Sequence, residues 1–332
     1  MEYFLTEQQK TLKSLARRIA EERVLPVRAE LDEKEEFPAE ILKELAAADL
    51  FRLFVPEKYD GLGGGALELC LVVEELSRVC SGVAVSYAAT ALGAYAIILH
   101  GSEEQKQKYL PRIANGAIAA FGLTEASAGS DVANIKTSAQ KTPEGYVLNG
   151  TKQFITNGGE AKIYTVVAQT DKTKGPRGFS AFIIEKDTPG FTFGKKEKKL
   201  GIRCSATREL VFRNCLVPAE NLIYKEGTGF IVAMHVFDNS RPGIAAQGVG
   251  VAQGALEAAV DYTRQRIQFG QPLISLPVVQ YKLAEMAIQT EAARALVYAS
   301  ARSVDFNSKQ STEDSAMAKV FASDVAMRVT TD

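Results

Sequence analysis

Apolar positions recur at helical spacing through the first third of the chain. Thr6 with Gln9 makes a capping box, and Leu12, Leu15, Ala16 and Ile19 follow on one face until Pro26 ends the run. A second helix is predicted near Ala39–Leu50, before the turn-rich stretch Pro56–Gly65. A third carries Leu67, Leu71, Val72 and Leu76, and Ser102 with Gln105 opens another capped helix that Gly116 can close.

The period changes near Ile118. Tyr146–Leu148, Ile163–Ala168, Phe179–Ile184, Phe191–Phe193 and Glu209–Phe212 are short runs rich in β-branched and aromatic residues, separated by Asn-Gly and Pro-Gly turns. Such strands predict an antiparallel barrel or sandwich, and the lack of alternating helices argues against a doubly wound parallel sheet. Helical spacing returns from about Gly229, through Ala245–Thr263, Val278–Phe306 and Ser315–Thr330. The fold class is therefore α+β in three parts: an N-terminal helical domain over 1–118, a β domain over 119–229 and a C-terminal helical bundle over 230–332. The last helix meets no stop signal before Asp332, so a truncated bundle is expected.

Composition narrows the function classes. A formal net charge of −1 lacks the basic footprint of a nucleic-acid binder. The one basic run, Lys195–Lys199, reads as a solvated turn. Cys70, Cys80, Cys204 and Cys215 form no C-x-x-C pair, and His100 and His235 are the only histidines, so no metal site is expected. Scattered thiols and an N-terminus without a leader point to the cytoplasm. Val79–Leu99 is uncharged and long enough to cross a bilayer, but its serines, threonine and glycines predict a buried core helix rather than membrane insertion.

Two segments carry candidate chemistry. Phe121-Gly-Leu-Thr-Glu-Ala-Ser-Ala-Gly-Ser-Asp131 gathers hydroxyls and small residues into a turn, where Thr124 and Ser130 can hydrogen-bond and Gly129 permits close approach of a ligand. A Ser-rich surface turn explains the same composition. In Lys152-Gln-Phe-Ile-Thr-Asn-Gly158, strand alternation puts Phe154 and Thr156 on one face, so a flat ring could stack there with one edge bonded to Thr156. An ordinary hairpin with Phe154 in the core is the alternative.

Thr124-Glu125 followed by Ala128–Asp131, then Phe154–Gly158, then Arg266-x-x-Phe269-Gly270, resembles the acyl-CoA dehydrogenases in order and spacing, over essentially the whole chain. The resemblance implies a flavoenzyme of fatty acid metabolism, usually a homotetramer, with FAD between the β domain and the C-terminal bundle. It implies that Phe121, Leu123 and Thr124 line the flavin ring, and that Phe154 and Thr156 cover it. Ser130 would approach the pyrophosphate or the pantetheine. Arg266, Gln268 and Phe269 would reach the FAD of an adjacent subunit, where a guanidinium suits a phosphate. Asp238 and Arg241 would hold the CoA portion of the substrate. Read without the family, Asp238–Pro242 is a helix N-terminus capped by Ser240.

Two positions depart from the family pattern. Asn134 stands where the first motif normally ends in a small residue, and Pro277 where many members carry an FAD-binding glutamine. The implied reaction removes the α-proton of an acyl-CoA with a carboxylate while the β-hydrogen leaves as hydride to the flavin. The expected glutamate base lies beyond Asp332. Glu257, Asp261, Glu285 and Glu291 read as solvated or paired carboxylates, so the catalytic residue is unknown. The resemblance implies that Val83–Leu99 contributes to the acyl pocket, and its small uncharged residues then imply a short or medium, uncharged acyl chain. The implied electron acceptor is an electron-transferring flavoprotein; an acyl-CoA oxidase or a nucleic-acid-associated flavoprotein of the same fold is the alternative. Gly248-x-Gly250-x-x-x-Gly254 has the wrong spacing for a nicotinamide fingerprint and falls within a predicted helix.

Overall fold

The computed structural model describes residues 3–332. Helices α1 (Glu7–Ile19), α2 (Arg28–Glu33), α3 (Ala39–Ala47), α4 (Ala66–Val79), α5 (Ser81–His100) and α6 (Glu103–Ala114) come first. Strands β1 (Ala119–Gly122), β2 (Ser138–Thr142), β3 (Gly145–Thr156), β4 (Ile163–Gln169), β5 (Phe179–Glu185), β6 (Phe191–Lys196), β7 (Thr207–Pro218) and β8 (Leu222–Ile223) follow. The chain then returns to helix in α7 (Gly229–Gln265), α8 (Pro277–Asp305) and α9 (Ser311–Thr331), with a hairpin of β9 (Ile267–Gln268) and β10 (Gln271–Pro272) between the first two. Both capping boxes form: the Thr6 hydroxyl accepts from Gln9 N, and the Ser102 hydroxyl from Gln105 N. Gly116, at φ +93°, follows the end of α6 in a conformation closed to other residues.

The residues form two compact units, with α5 and α7 divided between them at Val85/Ser86 and Ser240/Arg241. The helical unit comprises the chain to Glu30, Gly65–Val85 and Arg241–Asp332. Its centre is polar. Glu74 is buried and accepts from Lys13 Nζ (3.0 Å), Arg294 Nε (3.0 Å) and the Tyr298 hydroxyl (2.8 Å). Three donors on one carboxylate satisfy a charge that burial would otherwise penalise. The glycines of α7 have a packing role. A Cβ on Gly250 would stand 2.3 Å from Glu74 O, and one on Gly254 2.2 Å from Arg78 O, so the backbones of α4 and α7 touch only because these side chains are absent. Asp305, at the end of α8, accepts from the first free amides of α4, Ala66 N (2.5 Å) and Leu67 N (3.1 Å).

The other unit, Leu31–Gly64 with Ser86–Ser240, holds the sheet. Strand order is β6-β7-β3-β2-β4-β5-β8, with β1 added beside β4. Pairing is antiparallel except at β1–β4, and at one residue pair, Ser138 with Gln169, between β2 and β4. The parallel pairing arises because the long β2–β3 excursion separates β1 from β4, giving the chain room to cross over. The sheet curls around one core: Tyr146 of β3 packs on Phe182 of β5 (5.0 Å between centroids), and Tyr164 of β4 meets Phe191 of β6 edge-on (4.9 Å). In the same unit, most of α5 from Ser86 to Ile97 is buried. Its polar groups are satisfied: Tyr87 donates to Leu50 O (2.6 Å), and Gly93 O accepts from Thr165 (3.0 Å).

Two expectations are corrected. Asp238–Pro242 is no helix start: α7 begins at Gly229 and runs through Pro242, and the Ser240 hydroxyl donates back to Phe237 O (3.2 Å) instead of capping. The Lys195–Lys199 run is not simply solvated, since Lys196 Nζ bonds Glu35 O and Lys199 Nζ bonds Ser205 O at 2.6 Å.

Candidate functional site

The two motifs of the β region meet in the sheet unit. Gln153 N donates to Thr124 O at 2.8 Å, which seats the first motif on the edge of the second. Phe121 and Leu123 are buried, with Phe121 edge-on to Phe237 (5.9 Å between centroids). Thr124 is half-buried and Ser130 exposed. Between them Glu125 and Ala128 exchange backbone hydrogen bonds (3.0 and 3.1 Å), folding the segment into a tight turn. A Cβ built on Gly129 meets nothing within 4 Å, so the backbone there faces open space.

Phe154 breaks the simple strand alternation. The β3–β7 register shifts between Lys152 and Ile155, and Phe154 sits at φ +60° within that bulge. The shift separates side chains that strict alternation would place together. Lys152 turns fully inward, Ile155 is buried, and Phe154 stands 57% exposed with half-buried Thr156 beyond it. A bulky residue in the left-handed region is strained, and a large apolar ring left in water contributes nothing to the core. The ring is displayed rather than packed.

The bulge is anchored on both sides. Lys152 Nζ bonds Glu125 Oε1 (2.7 Å) and Leu123 O (3.1 Å). Burial drags the Lys152 ammonium down to about 8 despite the pull of Glu125. Burial also works against the Glu125 carboxylate, but the Lys152 charge and the Thr137 and Lys136 donors outweigh it and hold Glu125 below the usual carboxylate range. On the far side Asn157, at φ +62° and wholly buried, donates to Ser86 O (2.9 Å) and Ala119 O (3.1 Å). Neither the Glu125–Lys152 pairing nor the burial of Asn157 follows from the local sequence; an isolated lysine between the apolar Leu148 and Ile155 is the one signal for the pair.

The remaining predicted residues lie elsewhere along the chain. Asp238 and Arg241 are half-buried on α7. Arg266, Gln268 and Phe269 belong to the β9–β10 hairpin, whose two-residue turn has Phe269 at φ +52° and Gly270 at φ +76°, as a type I′ turn requires. Phe269 is 88% exposed at its tip. Pro277 occupies the first turn of α8, where its missing N–H costs nothing. Asn134 Nδ2 reaches Ser127 O only at 3.5 Å. Of the carboxylates considered, Glu257 pairs with Arg78 (2.7 Å) and Glu291 with Arg294, while Asp261 is exposed. A groove of about 420 Å³ in the helical unit, lined by Val278, Tyr281, Met286 and Arg328 among others, contains none of the motif residues.

An aromatic face with an adjacent hydroxyl, beside a glycine turn with open backbone, fits a flat heteroaromatic cofactor carrying a phosphate arm. Comparison with known proteins identifies the family. Three family models match in order: acyl-CoA dehydrogenase N-terminal domain over residues 6–117, middle domain over 120–215 and C-terminal domain over 227–332. The chain is 47% identical to the short-chain specific acyl-CoA dehydrogenase of Megasphaera elsdenii, over 100% of this chain and 88% of that protein. The solved butyryl-CoA dehydrogenase of Megasphaera elsdenii superposes with a TM-score of 0.97 at 46% identity, covering 100% of this chain and 88% of that one. A chain solved in work on the electron transferring flavoprotein of Acidaminococcus fermentans gives a TM-score of 0.98 at 46% identity, with the same coverage.

Proposed function

We propose that this chain, which belongs to the acyl-CoA dehydrogenase family, oxidises a short or medium, uncharged acyl-CoA thioester to the 2-enoyl-CoA. Members of the family are FAD-dependent flavoproteins, and FAD, when bound, supplies the acceptor for the hydride. The observation that carries the reading is Phe154: strained, exposed and next to Thr156, its ring offers a stacking face outside the core.

In this reading Phe154 and Thr156 cover one side of the ring, and Phe121, Leu123 and Thr124 line the other. The open backbone at Gly129 admits the phosphate arm or the pantetheine, with Ser130 beside it. Asp238 and Arg241 hold the CoA portion. Excluding water around the thioester strengthens every hydrogen bond that stabilises its developing enolate. Glu257 and Glu291 are committed to arginines, so neither is assigned to the α-proton. If α5 borders the acyl pocket as the family resemblance implies, its lack of charged side chains favours an uncharged acyl group.

The family likeness favours a homotetramer in which Arg266, Gln268 and Phe269 contact the FAD of a neighbouring subunit, an arrangement that would cover the exposed Phe269 ring. An electron-transferring flavoprotein is the proposed electron acceptor, in keeping with the similarity to the Acidaminococcus fermentans chain. The purified protein should be yellow, and butyryl-CoA should perturb its visible bands more strongly than glutaryl-CoA, with full bleaching wherever a carboxylate is supplied to accept the α-proton. A colourless protein that takes up no FAD, or a preference for glutaryl-CoA, overturns the reading.

A further inference from the structure

We infer that Glu125 and Lys152 form a positioning pair: they close the neck of the loop bearing Gly129 and Ser130, lock it to the Phe154 bulge, and so set how tightly and in what pose FAD is held. The inference rests on the FAD reading above and assigns it a buried component that touches no ligand. Three chain segments converge on one carboxylate. Glu125 leads into the loop, and its Oε1 and Oε2 accept from Thr137 N (2.9 Å) and Lys136 N (2.7 Å), where the loop returns. Lys152 binds the same carboxylate at 2.7 Å and also Leu123 O at 3.1 Å, tying β3 to the segment that leads into the loop.

The geometry explains why the bulge exists. With regular alternation, Lys152 and Phe154 would share a face; the inserted residue lets the ammonium reach a wholly buried site while the ring remains outside. Stability alone does not account for such a pair, because a buried ion pair is often matched or bettered by apolar side chains of similar volume. What the pair provides is register. A loop with open space at Gly129 is held at its base by charge-assisted bonds, which are shorter and stronger than neutral ones.

The test compares wild type, Lys152→Met, Glu125→Gln and the neutral double variant. Apoprotein urea midpoints, FAD affinity by fluorescence quenching and the visible circular dichroism of bound FAD are measured for each. The single variants leave one buried charge unpaired and should lose stability and FAD together. The double variant should recover most of the apoprotein midpoint, yet bind FAD at least tenfold more weakly and with an altered dichroism spectrum. Wild-type affinity and spectrum in the double variant overturn the inference. Should the double variant not fold, Lys152→Arg keeps the charge while changing the reach; wild-type FAD affinity and dichroism there overturn it equally. A wild-type protein that takes up no FAD overturns the functional reading beneath the inference, a result distinct from either.

Discussion

His235 Nδ1 lies 3.0 Å from His100 Nε2, and their rings stack with centroids 5.0 Å apart, so the only two histidines of the chain share one hydrogen bond. One ring must donate and the other accept, which requires at least one to stay neutral. Burial, then the positive charge available to His235 and Lys106, holds His100 below the ordinary imidazole range. As pH falls below about 6.5 the unfolded chain takes up this proton before the folded one. His100 therefore contributes stability above its unfolded pKa and loses it as pH falls through its folded pKa. Urea midpoints across pH 5 to 7.5 should slope downward toward acid, and His100→Asn should flatten that slope.

Phe154 separates stability from binding. Its left-handed backbone costs on the order of 1–3 kcal/mol, which glycine would relieve in part, less its own entropic penalty of about 0.5–1 kcal/mol. Phe154→Gly should leave the apoprotein as stable as wild type or slightly more so, and weaken FAD retention at least tenfold. Denaturation of the apoprotein and FAD titration check the two halves; a large loss of apoprotein stability would mean that the ring is structural.

Asp305 acts at a distance in sequence as the cap of α4. Asp305→Ala frees two amides and should cost roughly 1–2 kcal/mol by chemical denaturation. Asp305→Asn retains an acceptor and should cost less.

Gly250 is required by contact rather than by backbone angle. Gly250→Ala drives a Cβ against the Glu74 carbonyl and should destabilise by about 1–3 kcal/mol, as overpacking does. Gly129→Ala, whose Cβ would meet nothing within 4 Å, should leave the urea midpoint unchanged or slightly raised while changing FAD binding.

Features set by neighbours in sequence were readable before the fold was known. Thr6 with Gln9 and Ser102 with Gln105 announce their helices because each cap bonds three residues ahead. The β runs from Tyr146 to Phe212 were visible through β-branched and aromatic content. What escaped depends on distant partners. The bulge at Phe154 arises because Lys152 is drawn to Glu125, and the crossover pairing of β1 with β4 is fixed by the core they share. Pro242 looked like a helix start because its local preference is for the first turn, yet helix α7 carries it in its interior. Glycines that suggested nothing by spacing proved to be contact points between helices, which period alone does not distinguish.

The way α5 is satisfied has a consequence for biosynthesis. Its helix meets the length and apolar criteria of a bilayer span, yet Ser86 O and Gly93 O find their donors in Asn157 and Thr165, some seventy residues downstream. On the ribosome, at about 5–20 residues per second, that greasy rod is made several seconds before the strands that clothe it. The nascent chain should therefore depend on a chaperone during this interval, and slowed translation between codons 100 and 165 should divert more of it to aggregates than slowing elsewhere.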